Sequence, residues 1–187
     1  MTKKQTLLKS LFFTLITLFV LFLVGFIYTS YNLATYQLYY SKHMPHAKGT
    51  NPEMVFILDG LDFSEEPKIK GIRYDTDGHN SIIKDNSFAL RQSYDGKKRN
   101  YELSFYERKN NELYRTYYFD KTGRFIEYFY QKPYDNKDIY DSSEQRRKEA
   151  QGYVDEIIKP VAAKLEKQPK VNLQWLFNKK YEKRFSR

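Results

Sequence analysis

Three histidines, His43, His46 and His79, are the only imidazoles in the chain, and it has no cysteine. Thiolate nucleophiles and thiolate metal sites are therefore excluded. A Ser-His-Asp arrangement would have to use one of the three histidines. His43 and His46 fall in a segment that reads as a linker, a poor support for a preorganised site. The pair His43-x-x-His46 offers two ligands with no third nearby, which falls short of a zinc site. Residues 75–80, Asp-Thr-Asp-Gly-His-Asn, begin like a calcium loop. They then place His79, Asn80 and Asn86 where that loop needs an acid or amide, a glycine and a glutamate. A β-turn accounts for these residues. Glu102 and Glu127 fall at mid-strand positions, and nothing in their spacing makes them an acid–base pair. No phosphate-binding loop or nucleophile elbow is present. The chemistry-bearing residues thus give little reason to expect an enzyme, and they call for no metal and no cofactor.

The elements that position these residues begin with residues 10–41, a run without one charged side chain. Its first two-thirds is almost wholly apolar, and a helix crossing the hydrocarbon core needs about 20 such residues. Lys3, Lys4 and Lys9 precede the run and the next positive charge is Lys42. This asymmetry puts residues 1–9 in the cytoplasm as a short tip, residues 10–31 in the membrane, and the rest outside. The rival is a cleaved signal peptide. The apolar stretch exceeds the usual ~7–15 residue core of such peptides, and no convincing small-x-small cleavage site follows it. Tyr28, Tyr31 and Tyr36 suit the outer interface.

Residues 32–52, with Pro45, Gly49 and Pro52, read as a juxtamembrane linker, and residues 53–187 as an extracellular α+β binding domain. The 18 Tyr and 14 Phe favour strands. The short apolar run 54–59 reads as a strand bounded by Gly60. Alternation recurs over 68–75, 87–94, 100–107, 112–119 and 124–131. Asp95-Gly96 is a strong hairpin signal, and the other connections are too short for crossover helices, so neighbours pair antiparallel. The expectation is a β-meander of five or six strands. The period then changes. Asp141, Ser142, Ser143 and Glu144 mark a helix start, and Ala150, Tyr153, Val154, Ile157, Ile158, Val161 and Leu165 form one helical stripe. Pro160 is expected to kink or break that helix. Residues 173–185 read as a second helix or, failing that, an edge strand.

The fold class expected is therefore α+β: an antiparallel sheet with helix packed on one face, preceded by a single N-terminal transmembrane helix. The other sheet face is left toward solvent unless loops or the last helix cover it. An open face carrying aromatic residues invites a partner. Alternation puts Arg91, Glu102, Tyr106, Tyr114, Thr116 and Tyr118 there as candidate partner-binding residues.

Net charge is +9, and the excess concentrates in Lys179, Lys180, Lys183, Arg184 and Arg187. Such a basic end could meet anionic lipid, wall polymer or an acidic protein, or be a solvated tail. Nucleic acid does not fit the compartment.

The anchor with an outside domain, the Tyr-rich stretch QSYDGKKRNYELSFYERKN…RTYYFDKTGRFIEYFYQ followed by a helix, and the closing WLFNKKYEKRF resemble the TipC family of immunity proteins from streptococci and relatives. The likeness covers nearly the whole chain. It implies a protein displayed outside the membrane of a Gram-positive cell. There it would bind and block a secreted TelC-type toxin of the type VII pathway, which degrades the wall precursor lipid II. The competing expectations are a tethered sensor or adaptor that binds wall polymer or anionic lipid, and an enzyme acting on wall components.

Overall fold

The computed structural model describes residues 3–60, 67–75, 80–95, 98–106, 113–131 and 138–186; for 3–8, 94, 95, 98, 99, 113 and 114 it describes the backbone alone. The expected turn at 75–78 and His79 lie largely outside these residues.

Helix α1 (Lys3–Thr35) contains the apolar stretch, and Lys9–Thr35 is long and apolar enough to cross a membrane, with mean hydropathy 2.7 and none of it buried against the domain in its most apolar window. Helix α2 (Gln37–Lys42) follows within two residues. Segment 32–52, expected to be a linker, is instead packed into the fold. Asn32, Leu38, Tyr40 and Met44 are buried, and Asn32 and Tyr40 meet the carboxy-terminal segment at Val171, Leu173 and Phe177.

Helix α3 (Pro52–Gly60) replaces the strand expected over 54–59. An apolar run this short has no period that separates a buried strand from a buried helix. The residues just before it fit a helix start. Asn51 Oδ1 accepts from the Met54 amide at 3.0 Å, and Pro52 occupies the first helical position, where its missing N–H costs nothing. Met54, Val55, Phe56, Ile57 and Leu58 are all buried, so the helix needs no polar stripe.

The sheet has seven strands, not five or six: β1 (Ile72–Asp75), β2 (Ser81–Lys84), β3 (Phe88–Asp95), β4 (Lys98–Tyr106), β5 (Leu113–Phe119), β6 (Phe125–Gln131) and β7 (Asp138–Asp141). Each pairs antiparallel with the next, in the order β1 to β7. The four-residue strands β2 and β7 are too short to give a clear alternation. The β2–β3 turn uses Asp85 and Asn86 at positive φ, 48° and 53°, a conformation Asn and Asp tolerate better than other side chains with a Cβ.

Helix α4 (Glu144–Leu165) starts at an N-cap Ser143, whose Oγ accepts from the Arg146 amide. It runs through Pro160 without ending, so of the expected kink or break the break does not occur. Its buried residues Ala150, Val154, Ile157, Ile158 and Val161 join one face of the sheet, and Tyr153 sets its ring against Phe88, Phe105 and Tyr117. Helix α5 (Gln174–Phe185) is the helical alternative for the last segment. Its Phe177, Tyr181 and Phe185 surround Phe56 of α3 at ring distances of 5.2, 4.8 and 5.8 Å. The fold is α+β, with helices gathered on one face of an antiparallel sheet.

Candidate protein-binding face of the sheet

Strand pairing fixes which side chains share a face, because successive residues of a strand point to opposite sides. The face toward the helices holds Ile82, Phe88, Leu90, Tyr101, Leu103, Phe105, Tyr117, Phe119 and Tyr128, all in the main core. The opposite face is built from two rows that cross the strands. One runs Ser81, Arg91, Glu102, Tyr118, Glu127, and the other Ile83, Ala89, Ser104, Thr116, Phe129, Tyr140. Arg91, Glu102, Thr116 and Tyr118 thus lie together on the face away from α4, as alternation implies.

The second row is low in its middle. Ala89, Ser104 and Thr116 are buried, although Ala89 lies outside the main core cluster. These are the smallest side chains of the row. Ser104 Oγ and Thr116 Oγ1 lie 3.3 Å apart and share a hydrogen bond. Phe129 and Tyr140 raise one side, with rings 5.3 Å apart, and Tyr140 is 60% exposed. Tyr106, half-buried, falls on the same face by its parity with Glu102 and Ser104.

The first row carries the charge. Arg91 makes an ion pair with Glu102 through its guanidinium, so Glu102, 8% exposed, is buried with a partner. Tyr118 follows, flanked on its two neighbouring strands by Glu102 and Glu127. Burial, and then the negative charge of Glu102 and Glu127, hold its phenol above the ordinary range. It is therefore a neutral hydroxyl at physiological pH, able to donate to an acceptor on a partner. Glu102 and Glu127 are two strands apart, about 10 Å between backbones, with Tyr118 interposed and Glu102 committed to Arg91. Among these row residues no nucleophile–base contact is present.

Two bulges limit what alternation can assign. Tyr106 pairs with Leu113 while Phe105 pairs with Arg115. Tyr114 is thus the extra residue and loses the place opposite Tyr106 that alternation gives it; its side chain lies outside the described residues. In β6, Phe119 pairs with Phe125 while Tyr118 pairs with Glu127. Ile126 is the extra residue, and Phe125 turns to the core instead of following Glu127 and Phe129. An inserted residue reverses every side chain beyond it. Ala89 and Phe129 also belong to the face, sharing the parity of Arg91 and Glu127, and Tyr140 joins it from a strand too short to recognise.

The other candidates resolve into structural roles. His43 Nδ1 lies 2.7 Å from the Tyr39 carbonyl and its ring packs, tilted, against Tyr39. His46 Nδ1 lies 2.9 Å from Thr50 Oγ1. Among the described residues, no three His, Asp or Glu gather as a metal site would require. Arg184, expected in a basic tail, is held inward. It donates to Asp59 Oδ2 at 3.1 Å, to the Tyr101 hydroxyl at 3.0 Å and to the Lys121 carbonyl. Lys179, Lys180 and Lys183 remain exposed.

No family model matches the chain, and no curated protein or solved structure is significantly similar to it.

Proposed function

We propose that this chain is a membrane-anchored immunity protein, with its domain outside the cell, that binds and occludes a secreted antibacterial toxin. The observation that carries this reading is the sheet face opposite α4. It has a floor of Ala89, Ser104 and Thr116, an aromatic wall of Phe129 and Tyr140, and a row of Arg91, Glu102, Tyr118 and Glu127. Aromatic and charged groups around a low, partly apolar floor are the composition of protein-recognition surfaces. Tyr contributes contact area at low entropy cost and keeps a polar handle.

The outward placement rests on the three lysines before the apolar run and on their absence after it until Lys42. The TipC resemblance supplies the partner class, a TelC-type toxin that attacks a wall precursor outside the membrane. Restricting the binder to that surface raises its effective concentration where such a toxin acts.

The test is protection. Cells carrying the full chain should survive a TelC-type toxin directed outside the membrane. Cells in which residues 1–31 are removed, so that the domain stays in the cytoplasm, should die. Survival of neither against a panel of such toxins would remove the immunity reading. The rival reading, a tethered adaptor for wall polymer or lipid, would then be followed through the exposed Lys179, Lys180 and Lys183 by salt-dependent binding.

A further inference from the structure

The anchor and the domain are joined without slack. Asn32, on the last turn of α1, donates from Nδ2 to the Val171 carbonyl at 3.1 Å. The Tyr40 hydroxyl donates to Asn32 Oδ1 at 2.7 Å and accepts from the Leu173 amide at 3.1 Å. Lys42 and Glu166 close the same junction with a 2.9 Å ion pair. Asn32 and Tyr40 are almost wholly buried. A helix held by buried hydrogen bonds on both sides of its exit sets the attitude of the domain instead of leaving it to swing.

This junction fixes a depth. At 1.5 Å per residue, the apolar stretch 11–31 covers about 30 Å, the thickness of the hydrocarbon core. Asn32 therefore lies at headgroup level, and its bond to Val171 brings the α4–α5 loop to the same level. That loop presents Val171, 47% exposed, and two residues beyond Leu173 comes Trp175, the one Trp of the chain, 64% exposed. Trp at this depth is a typical interfacial residue. Lys164, Lys167 and Lys170 are exposed beside it, while the neighbouring acid Glu166 is neutralised by Lys42. A groove between α1 and the domain, walled by Tyr31, Leu38, Phe56 and Leu165, is rimmed by Lys164 and Lys167.

We propose that the domain rests on the bilayer through Lys164, Lys167, Lys170, Val171 and Trp175, with anionic phospholipid as the partner. The lysines meet phosphate, the two apolar side chains enter the headgroup region, and the groove accommodates the upper part of a lipid beside α1. This surface is separate from the sheet face proposed for the toxin. The inference rests on the reading that Lys9–Thr35 crosses a membrane, and on nothing about the toxin.

The single Trp makes the test direct. The full chain is reconstituted in phosphatidylcholine vesicles with and without phosphatidylglycerol, and flotation reports insertion. With phosphatidylglycerol, Trp175 emission should shift to the blue, be quenched by lipid brominated near the headgroup end of its chains, and lose most of its quenching by aqueous acrylamide. Vesicles of phosphatidylcholine alone, or the K164Q/K167Q/K170Q variant with an unchanged far-ultraviolet spectrum, should float with Trp175 near the same level but show a smaller blue shift and more acrylamide quenching than wild type in anionic vesicles. Floating wild-type protein whose Trp175 stays water-exposed in anionic vesicles would overturn the docking and leave the anchor. Failure to float would overturn the anchor and the docking with it.

Discussion

Arg184, three residues from the end of the chain, donates to Asp59 Oδ2 at 3.1 Å and to the Tyr101 hydroxyl at 3.0 Å, while Tyr101 donates to Asp59 Oδ1 at 2.7 Å. The triad ties α5 to the end of α3 and to a central strand. Asp59 and Arg184 side chains are 14% and 27% exposed, so removing one leaves a poorly solvated charge behind. Arg184→Ala should destabilise the protein by about 2–3 kcal/mol, read as a lower urea midpoint at unchanged slope in detergent. A midpoint equal to wild type would mean that the last helix is not fastened at this point.

The buried phenols make a pH prediction. Tyr101 is held well above its ordinary value of 10.0, first by burial and then by the Asp59 carboxylate beside it. Burial likewise raises Tyr117 and Tyr128. Above pH 10 an unfolded chain loses these protons while the folded one keeps them, so the unfolded state binds fewer protons and stability falls as pH rises. The stability these phenols contribute is fully present below their unfolded value. Denaturant midpoints from pH 8 to 11 should therefore drop beyond pH 10, and Tyr101→Phe should flatten that drop by about one proton's slope. A flat profile to pH 11 would contradict the burial of these hydroxyls.

Tyr118 stands between Glu102 and Glu127 on the candidate binding face and is half-buried. If that face binds the toxin, Tyr118→Ala should weaken the complex by about 2 kcal/mol, roughly thirtyfold in Kd, with a Tm within a few degrees of wild type. Phe129→Ala should act in the same direction. Equal loss of Tm and of binding would assign these rings to the core instead. Arg91→Ala is the instructive contrast: it strands the buried Glu102 and should lower stability as well as binding, by about 1–3 kcal/mol in stability.

The junction between α1 and the domain yields a fourth expectation. Tyr40→Phe keeps the ring packing against Phe177 but deletes the hydroxyl shared by Asn32 Oδ1 and the Leu173 amide. The loss should be about 1–3 kcal/mol, since buried partners are left unsatisfied. Hydrogen exchange should rise at residues 171–174 before it rises in the sheet. Uniform acceleration across the domain would show that the junction is not a separate unit of stability.

Much of the candidate face is legible in the sequence. Arg91, Glu102, Thr116 and Tyr118 share a face because β3, β4 and the middle of β5 keep strict alternation, which needs only local sequence. Alternation misplaces Tyr114 and Phe125 because a bulge is set by strand pairing, and its position leaves no mark in the alternation of one strand. Phe129 and Tyr140 join the wall only once β6 and β7 are in register.

The apolar span, the hairpin of β3 and β4, the Ser143 cap and the amphipathic stripe of α4 are all written in the primary structure. Each is encoded within a few residues, through hydropathy, turn chemistry or period. It took the packed domain to make 54–59 a helix, to turn 32–44 from linker into core, and to point Arg184 inward. A uniformly apolar run carries no period to choose its own conformation, and a charge cannot reveal a partner 125 residues away in the chain. Those choices come from which surfaces meet when the helices close on one face of the sheet.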